Sequence, residues 1–228
     1  MRIIVLISAD SEWESIKAIL GDNELTMRAS PFGERFAIQV GDLPLEFFHG
    51  GWGKIAAAAS TQYVIDELKP DLLVNLGTCG GFAGRTRAGE VVLVERTVVY
   101  DLIEQMTDAD AAIDYYASTL DLSWLAVPDP HPVSRGLIAS GDRDLLPADI
   151  PMLVEKYRAI AADWESASIA WVAARSGTRL LILRGVSDLV GPEGGEVYGK
   201  PELFDDRTRV VMEELLRQLP DWLRDVRP

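Results

Sequence analysis

Short apolar, β-branched runs alternate with stretches of helical period along this chain, and that alternation leaves few architectures open. Residues 3–8, 71–76 and 180–186 are short and almost uniformly apolar, so each is expected to be a strand buried on both faces. Between them, residues 11–20 place Trp13, Ile16 and Leu20 at helical spacing. Residues 54–68 hold Ile55, a run of alanines and Val64 before Pro70 stops the helix. Residues 164–176 read as an almost wholly apolar helix. Residues 36–40 and 45–49 flank Gly41 and Asp42 and read as a hairpin, which makes the sheet mixed. Residues 91–103 are expected to form one long or bent strand, 136–140 and 157–161 short strands, and 105–132 an irregular excursion. A Gly/Pro-rich loop over 191–199 precedes a last helix over 204–223, expected to break near Pro220. The fold class implied is α/β, a three-layer α/β/α sandwich on a central mixed sheet, with residues 1–228 as a single domain.

Composition narrows the function classes. A net charge of -14 is the wrong sign for a surface that collects nucleic-acid phosphates or anionic lipid, so neither a nucleic-acid nor a membrane partner is expected. The apolar run at residues 3–7 is too short for a membrane span and leads directly into Asp10, Glu12 and Glu14, so it is read as neither anchor nor secretory signal. The single cysteine, Cys79, leaves no internal disulfide and reads as a small buried residue, which suits a cytoplasmic protein. With only His49 and His131 and no cysteine pair, no metal site is expected. No cofactor is expected either, because the glycines at 77–81 do not follow the dinucleotide fingerprint.

Three carboxylates stand out by position. Glu12, Glu165 and Asp188 fall at strand ends or helix starts, where an α/β sheet gathers its ligand-binding rim. Taken singly, Glu12 and Glu165 are also what a helix dipole favours, at ~0.3–1 kcal/mol for an exposed site.

Four segments carry a more specific signal. Gly50, Gly51, Trp52, Gly53 and Lys54 open an alanine-rich helix, and Asn75, Leu76, Gly77, Thr78, Cys79, Gly80 and Gly81 end a strand. Asp163, Trp164, Glu165, Ser166 and Ala167 open a buried helix, and Arg184, Gly185, Val186, Ser187 and Asp188 close a strand. In this order and spacing they resemble the nucleoside phosphorylase/nucleosidase superfamily over nearly the whole chain, and within it the 5′-methylthioadenosine/S-adenosylhomocysteine nucleosidases most.

The resemblance implies a phosphorylase/hydrolase-like fold and hydrolysis of the N-glycosidic bond of a purine nucleoside. It assigns Asp188 to protonate the purine's imidazole-ring nitrogen and Glu12 to polarise the attacking water. It assigns Glu165 to the ribose 2′- and 3′-hydroxyls, Trp164 to the sugar face, and Thr78 and Arg184 to the neighbourhood of the water. The chemistry agrees, since an oxocarbenium-like transition state needs an acid at the leaving group and a carboxylate at the water. Strand alternation is expected to put Arg184 and Asp188 on one face and Ser187 on the other. Trp52, Ser187 and Leu145 are further substrate-contact candidates, Leu145 as a stacking partner for the base, and Tyr198 is a candidate lid. Phosphorylases of the superfamily carry Gly and Arg after the first strand, whereas Ser8, Ala9, Asp10, Ser11 and Glu12 offer acids that repel phosphate, so water is the expected nucleophile.

The chain departs from the family where Arg143 and Asp144 follow Ser140, Gly141 and Asp142, and where Asp101, Leu102 and Ile103 follow Tyr100. A futalosine-type hydrolase, a phosphate-dependent phosphorylase and a non-catalytic nucleoside-binding protein on the same fold are the alternatives. The family is homodimeric, with the neighbouring subunit closing the 5′ side of the pocket. The apolar stretch Val98, Val99, Tyr100, Leu102, Ile103 and Met106 is the expected contact surface, burial beneath the excursion being the alternative.

Overall fold

The computed structural model describes residues 1–21, 25–224 and 226. Strand β1 (Ile3–Ile7) is buried along its whole length and lies between β4 (Leu43–His49) and β5 (Leu72–Phe82), parallel to both. Its side chains alternate between two cores. Ile3, Val5 and Ile7 pack with Trp13 and Ile16 of α1 (Asp10–Leu20) and with Val211, Met212 and Leu215 of α6 (Pro201–Leu223). Ile4 and Leu6 pack on the other face with Ala57 of α2 (Lys54–Tyr63) and Ile169 and Ala170 of α5 (Ser166–Arg175). This is the expected mixed sheet between helical layers.

The hairpin is present and longer than its apolar signal: β2 (Arg28–Ser30), β3 (Gly33–Val40) and β4 run antiparallel in sequence and extend one edge. Helix α2 continues into a π-helical turn over Val64–Leu68, so the expected helix over 54–68 is one continuous rod.

At the other side the sheet curls. Strand β10 (Leu180–Gly191) pairs with β5 and with β6 (Val91–Val99); β6 pairs with β8 (Ser134–Ser140), β8 with β9 (Ala159–Asp163), and β9 returns to β5. These five strands close into a ring. Strand β10 also makes a two-residue antiparallel pair with β11 (Gly194–Gly195).

Several sequence expectations need correction. Strand β5 does not stop at Leu76 but runs through Gly77–Gly81 to Phe82, because β10 and β9 supply hydrogen-bonding neighbours that far. Strand β6 ends at Val99 rather than near residue 103. The stretch 105–132 contains α3 (Ala109–Tyr116), capped by the Asp108 side chain on the Asp110 and Ala111 amides, and β7 (Ser118–Thr119), paired to β6. Between β8 and β9 the chain makes short helical turns, including α4 (Ile150–Met152).

Helix α6 begins at Pro201, which suits the first turn, and passes through Pro220 unbroken. The lost hydrogen bond falls in the last turn, where Trp222 and Leu223 are buried in the core and their burial offsets it. Val98, Val99 and Tyr100 are buried within the chain, Val98 and Tyr100 against Ile113 of α3 in the excursion, and of the apolar stretch Ile103 and Met106 project, at 84% and 93% exposure. Among the described residues no helix is long and apolar enough to cross a membrane.

The α6 seam joins the sheet to α1. Leu215 is fully buried in it. Leu215→Ala is expected to lower stability by ~2–5 kcal/mol, read as a shift in urea midpoint at unchanged slope, and a loss under ~1 kcal/mol would show that the seam repacks freely.

Candidate active site

A cleft of about 530 Å³ opens where β1, β5, β9 and β10 end. Glu12, Trp52, Thr78, Leu145, Trp164, Glu165, Ser187, Asp188 and Tyr198 all line it. Arg184 does not. It lies beneath the floor, fully buried, and reaches toward three carboxylates: Nε is 3.0 Å from Asp163 Oδ2, Nη1 is 3.8 Å from Glu12 Oε1 and Nη2 is 3.7 Å from Glu165 Oε2. The guanidinium also donates to Ser166 Oγ at 3.0 Å and Asn75 Oδ1 at 2.8 Å. Arg184 thus presents no surface to the cleft and meets it only through these carboxyl groups.

Gly77 makes room for it. A Cβ there would lie 1.9 Å from Arg184 Nη1 and 2.8 Å from Glu12 Oε1, so β5 needs a residue without a side chain. The glycine run in β5 therefore serves close approach rather than a turn.

Glu12 sits in the first turn of α1, buried, with donors on both oxygens. Oε1 accepts from the Thr78 amide at 2.6 Å and the Thr78 hydroxyl at 2.9 Å, and Oε2 accepts from the Ala9 amide at 3.2 Å. Glu165 precedes α5 and accepts the Gly53 amide on Oε1 at 3.0 Å. Burial pushes its pKa up to about 8; Arg184 acts against this, while Asp163 and Glu12 reinforce it.

Asp188 is presented differently from the simple alternation expected. The β10–β5 register shifts between Val186 and Asp188, so Ser187 is the extra residue of a bulge and the period of two is broken there. Arg184 therefore faces the carboxylate cluster, whereas Asp188 is held by Ser187 Oγ, which donates to Oδ1 at 2.8 Å. Its Oδ2 is buried with no hydrogen-bond partner among the described residues. Burial raises its pKa, with Ser187, Arg207 and the nearby Val197 amide acting against it and Glu196 reinforcing it. A carboxyl group in that setting is shifted toward its protonated form, the direction a proton donor needs.

The rim is aromatic. Trp52 and Trp164 meet at 5.1 Å between ring centroids, Trp52 being 58% exposed, and the Tyr198 hydroxyl donates to Leu145 O at 3.0 Å across the opening. Residues that sequence reasoning left without a role complete the floor. Asp163 accepts from Ser140 Oγ at 2.5 Å and from Ser166 Oγ, and the Asn75 amide group bonds to Leu6 O at 3.0 Å. A polar Asn75 inside an apolar strand was the one available signal. Among the described residues no group of three or more His, Cys, Asp or Glu is placed to hold a metal ion.

Residues 3–219 match the family model of the phosphorylase superfamily, and the chain belongs to that superfamily. A 5′-methylthioadenosine/S-adenosylhomocysteine nucleosidase of Marinomonas sp. (strain MWYL1) is 29% identical over 233 residues, covering 93% of this chain and 94% of its own. The crystal structure of 5′-methylthioadenosine/S-adenosylhomocysteine nucleosidase from Helicobacter pylori with butyl-thio-DADMe-Immucillin-A superposes with a TM-score of 0.79 at 17% identity, over 97% of this chain and 98% of that one. The native structure of futalosine hydrolase of Helicobacter pylori strain 26695 superposes with a TM-score of 0.77 at 16% identity, over 97% and 98%. At these identities the structural likeness is one of fold.

The raised pKa of Glu165 makes a stability prediction. The folded chain holds this proton at pH values where the unfolded chain has lost it, so the associated stability is fully present below the ordinary glutamate range and is lost as pH rises through about 8. Asp188, also raised, adds in the same direction. Urea unfolding of the ligand-free protein between about pH 5 and about pH 9 is expected to show this loss, and Glu165→Gln to flatten it. An unchanged slope in the variant would place the titration elsewhere.

Proposed function

We propose that the protein hydrolyses the N-glycosidic bond of a purine nucleoside of the 5′-methylthioadenosine/S-adenosylhomocysteine type, with water as nucleophile, releasing free base and a ribose derivative. The observation that carries this reading is the contrast between two carboxyl groups in one cleft. Asp188 has a bare buried oxygen and a raised pKa, the properties of a proton donor. Glu12 has fixed donors on both oxygens and faces the same cleft, the properties of an acceptor that orients water. The names of the relatives support the same reading.

In this mechanism Asp188 gives its proton to the leaving base as the glycosidic bond breaks. The sugar becomes oxocarbenium-like, and the nearby carboxylates stabilise its positive charge. Water held by Glu12, with the Thr78 hydroxyl adjacent, adds to the anomeric carbon and loses its proton to the carboxylate. Glu165 receives the ribose hydroxyls, its Oε1 already fixed by the Gly53 amide. Ser187 holds Asp188, and Arg184 holds Glu12 and Glu165 from below. Trp52, Trp164, Leu145 and Tyr198 supply apolar surface for base, sugar and 5′ substituent.

Phosphorolysis fits less well. Asp10 and Glu12 line the cleft where an incoming phosphate would sit, and their charge opposes a polyanion. A homodimer belongs to the same reading, supported by exposed Ile55, Ile103 and Met106. The buried, unpaired Cys79 suits a cytoplasmic setting.

The test is a substrate panel of methylthioadenosine, adenosylhomocysteine, inosine and futalosine, with and without phosphate, read as free base. Phosphate-independent release from the thio-nucleosides is expected, and a strict phosphate requirement would overturn hydrolysis. Asp188→Asn and Glu12→Gln are each expected to lower kcat by ~10²–10⁴ with smaller changes in ligand affinity. Because Asp188 acts while protonated, kcat/KM is expected to fall as pH rises through its shifted pKa. Wild-type turnover in either variant would remove that residue from the chemistry.

A further inference from the structure

Helix α2 starts without a side-chain cap of its own: its N-cap residue is Gly53, and its first turn carries no acidic residue. The free amides are taken instead by carboxylates from elsewhere in the fold. The Gly53 amide donates to Glu165 Oε1 at 3.0 Å, and the next amide, that of Lys54, donates to Asp142 Oδ1 at 2.7 Å. Asp142 is held in turn by Asp101. Asp101 Oδ2 accepts from the Asp142 amide at 2.9 Å, and its Oδ1 pairs with Lys54 Nζ.

Three loops, those after β4, β6 and β8, therefore converge on one helix terminus. Asp142 leads directly into Arg143, Asp144 and Leu145, which line the cleft. Gly53 has a φ of 85°, and a Cβ on it would come within 3.1 Å of Asp142 Oδ1, so the clasp is close on both sides. These ion pairs are partly exposed, and pairs of that kind add little to stability. What the arrangement fixes is a direction: the aim of the Gly53 amide at Glu165.

We propose that Asp142, braced by Asp101 and Lys54, is a positioning residue that sets the Gly53 amide against Glu165 and thereby sets how strongly the site selects for sugar hydroxyls. The inference rests on the proposed nucleosidase reading for its substrate readout. A carboxyl group with one oxygen pinned offers its remaining lone pairs in fixed directions, and a site built for a hydroxyl rejects a sugar that lacks it. Released from Gly53, Glu165 can rotate, and a fixed acceptor geometry is lost.

The experiment compares wild type, Asp142→Asn, Asp142→Ala and Glu165→Ala on 5′-methylthioadenosine and its 2′-deoxy analogue, with folding checked by thermal unfolding. In wild type the 2′-hydroxy substrate is expected to be strongly preferred in kcat/KM. Asp142→Ala is expected to lower that preference at least tenfold, mainly through a higher KM for the hydroxylated substrate, while leaving the alkaline limb of kcat in place. Asp142→Asn keeps an oxygen for the Lys54 amide and is expected to restore most of the preference.

A second measurement needs no substrate. Besides Gly53, the charged groups acting on Glu165 are Arg184, Asp163 and Glu12, none of which the Asp142 variants touch. Loss of the Gly53 donor is therefore expected to move the Glu165 titration upward, read by carboxyl-carbon NMR in the ligand-free protein. A preference within twofold of wild type together with an unmoved Glu165 titration in folded Asp142→Ala would overturn the inference. If wild type cleaves neither nucleoside, or Asp188→Asn remains fully active, the nucleosidase reading fails, and the NMR arm alone still decides the role of Asp142.

Discussion

One fully buried guanidinium, that of Arg184, ties the site to the fold. Moving such a charge out of water costs several kcal/mol even after relaxation, and only dense pairing offsets it. Here the partners come from four elements: Glu12 from α1, Asn75 from β5, Asp163 from the end of β9, and Ser166 with Glu165 from the start of α5. A planar fork with five donors can serve them together, which a lysine ammonium could not. The local packing follows from this choice, since a side chain at Gly77 would occupy the space of the guanidinium.

The same cluster leaves its charge unbalanced. Three carboxyl groups surround one cation in a buried setting. The Glu165 pKa rises to about 8, because it is deeply buried and feels both Asp163 and Glu12. Asp188 stands outside the cluster, behind the bulge at Ser187, and its pKa is raised by burial. The bulge thus sets Asp188 apart from the carboxyl groups around Arg184, whose face a regular strand would have given it. Separation of environments is what lets neighbouring carboxyl groups take different parts in one reaction.

The alternation of apolar strands with helices made the architecture legible, because double-sided burial leaves an unbroken apolar signature in β1, β5 and β10. The four motif segments likewise held six of the nine candidate side chains that line the cleft, Trp52, Thr78, Trp164, Glu165, Ser187 and Asp188. The rest was hidden for identifiable reasons. A bulge has no distinctive residue, so the break at Ser187 was not visible. Arg184 looked like a pocket residue because strand alternation says which face a side chain takes and nothing of how deep it lies. Asp163 stands within a motif that does not disclose its task, since only the folded chain brings it to Ser140, Ser166 and Arg184.

The apolar stretch after residue 97 shows the limit of hydropathy as a guide to assembly. Val98, Val99 and Tyr100 lack charges because β8 pairs with that end of β6 and Val98 and Tyr100 pack with Ile113 of α3, Leu153 and Tyr157. In an open sheet the same sequence would face solvent or a partner. Ring closure by the β5–β9 and β5–β10 pairings is a long-range event that no local window of sequence encodes. Apolarity in a strand therefore reports that a surface is covered, and topology decides whether the cover is the chain itself or a second molecule.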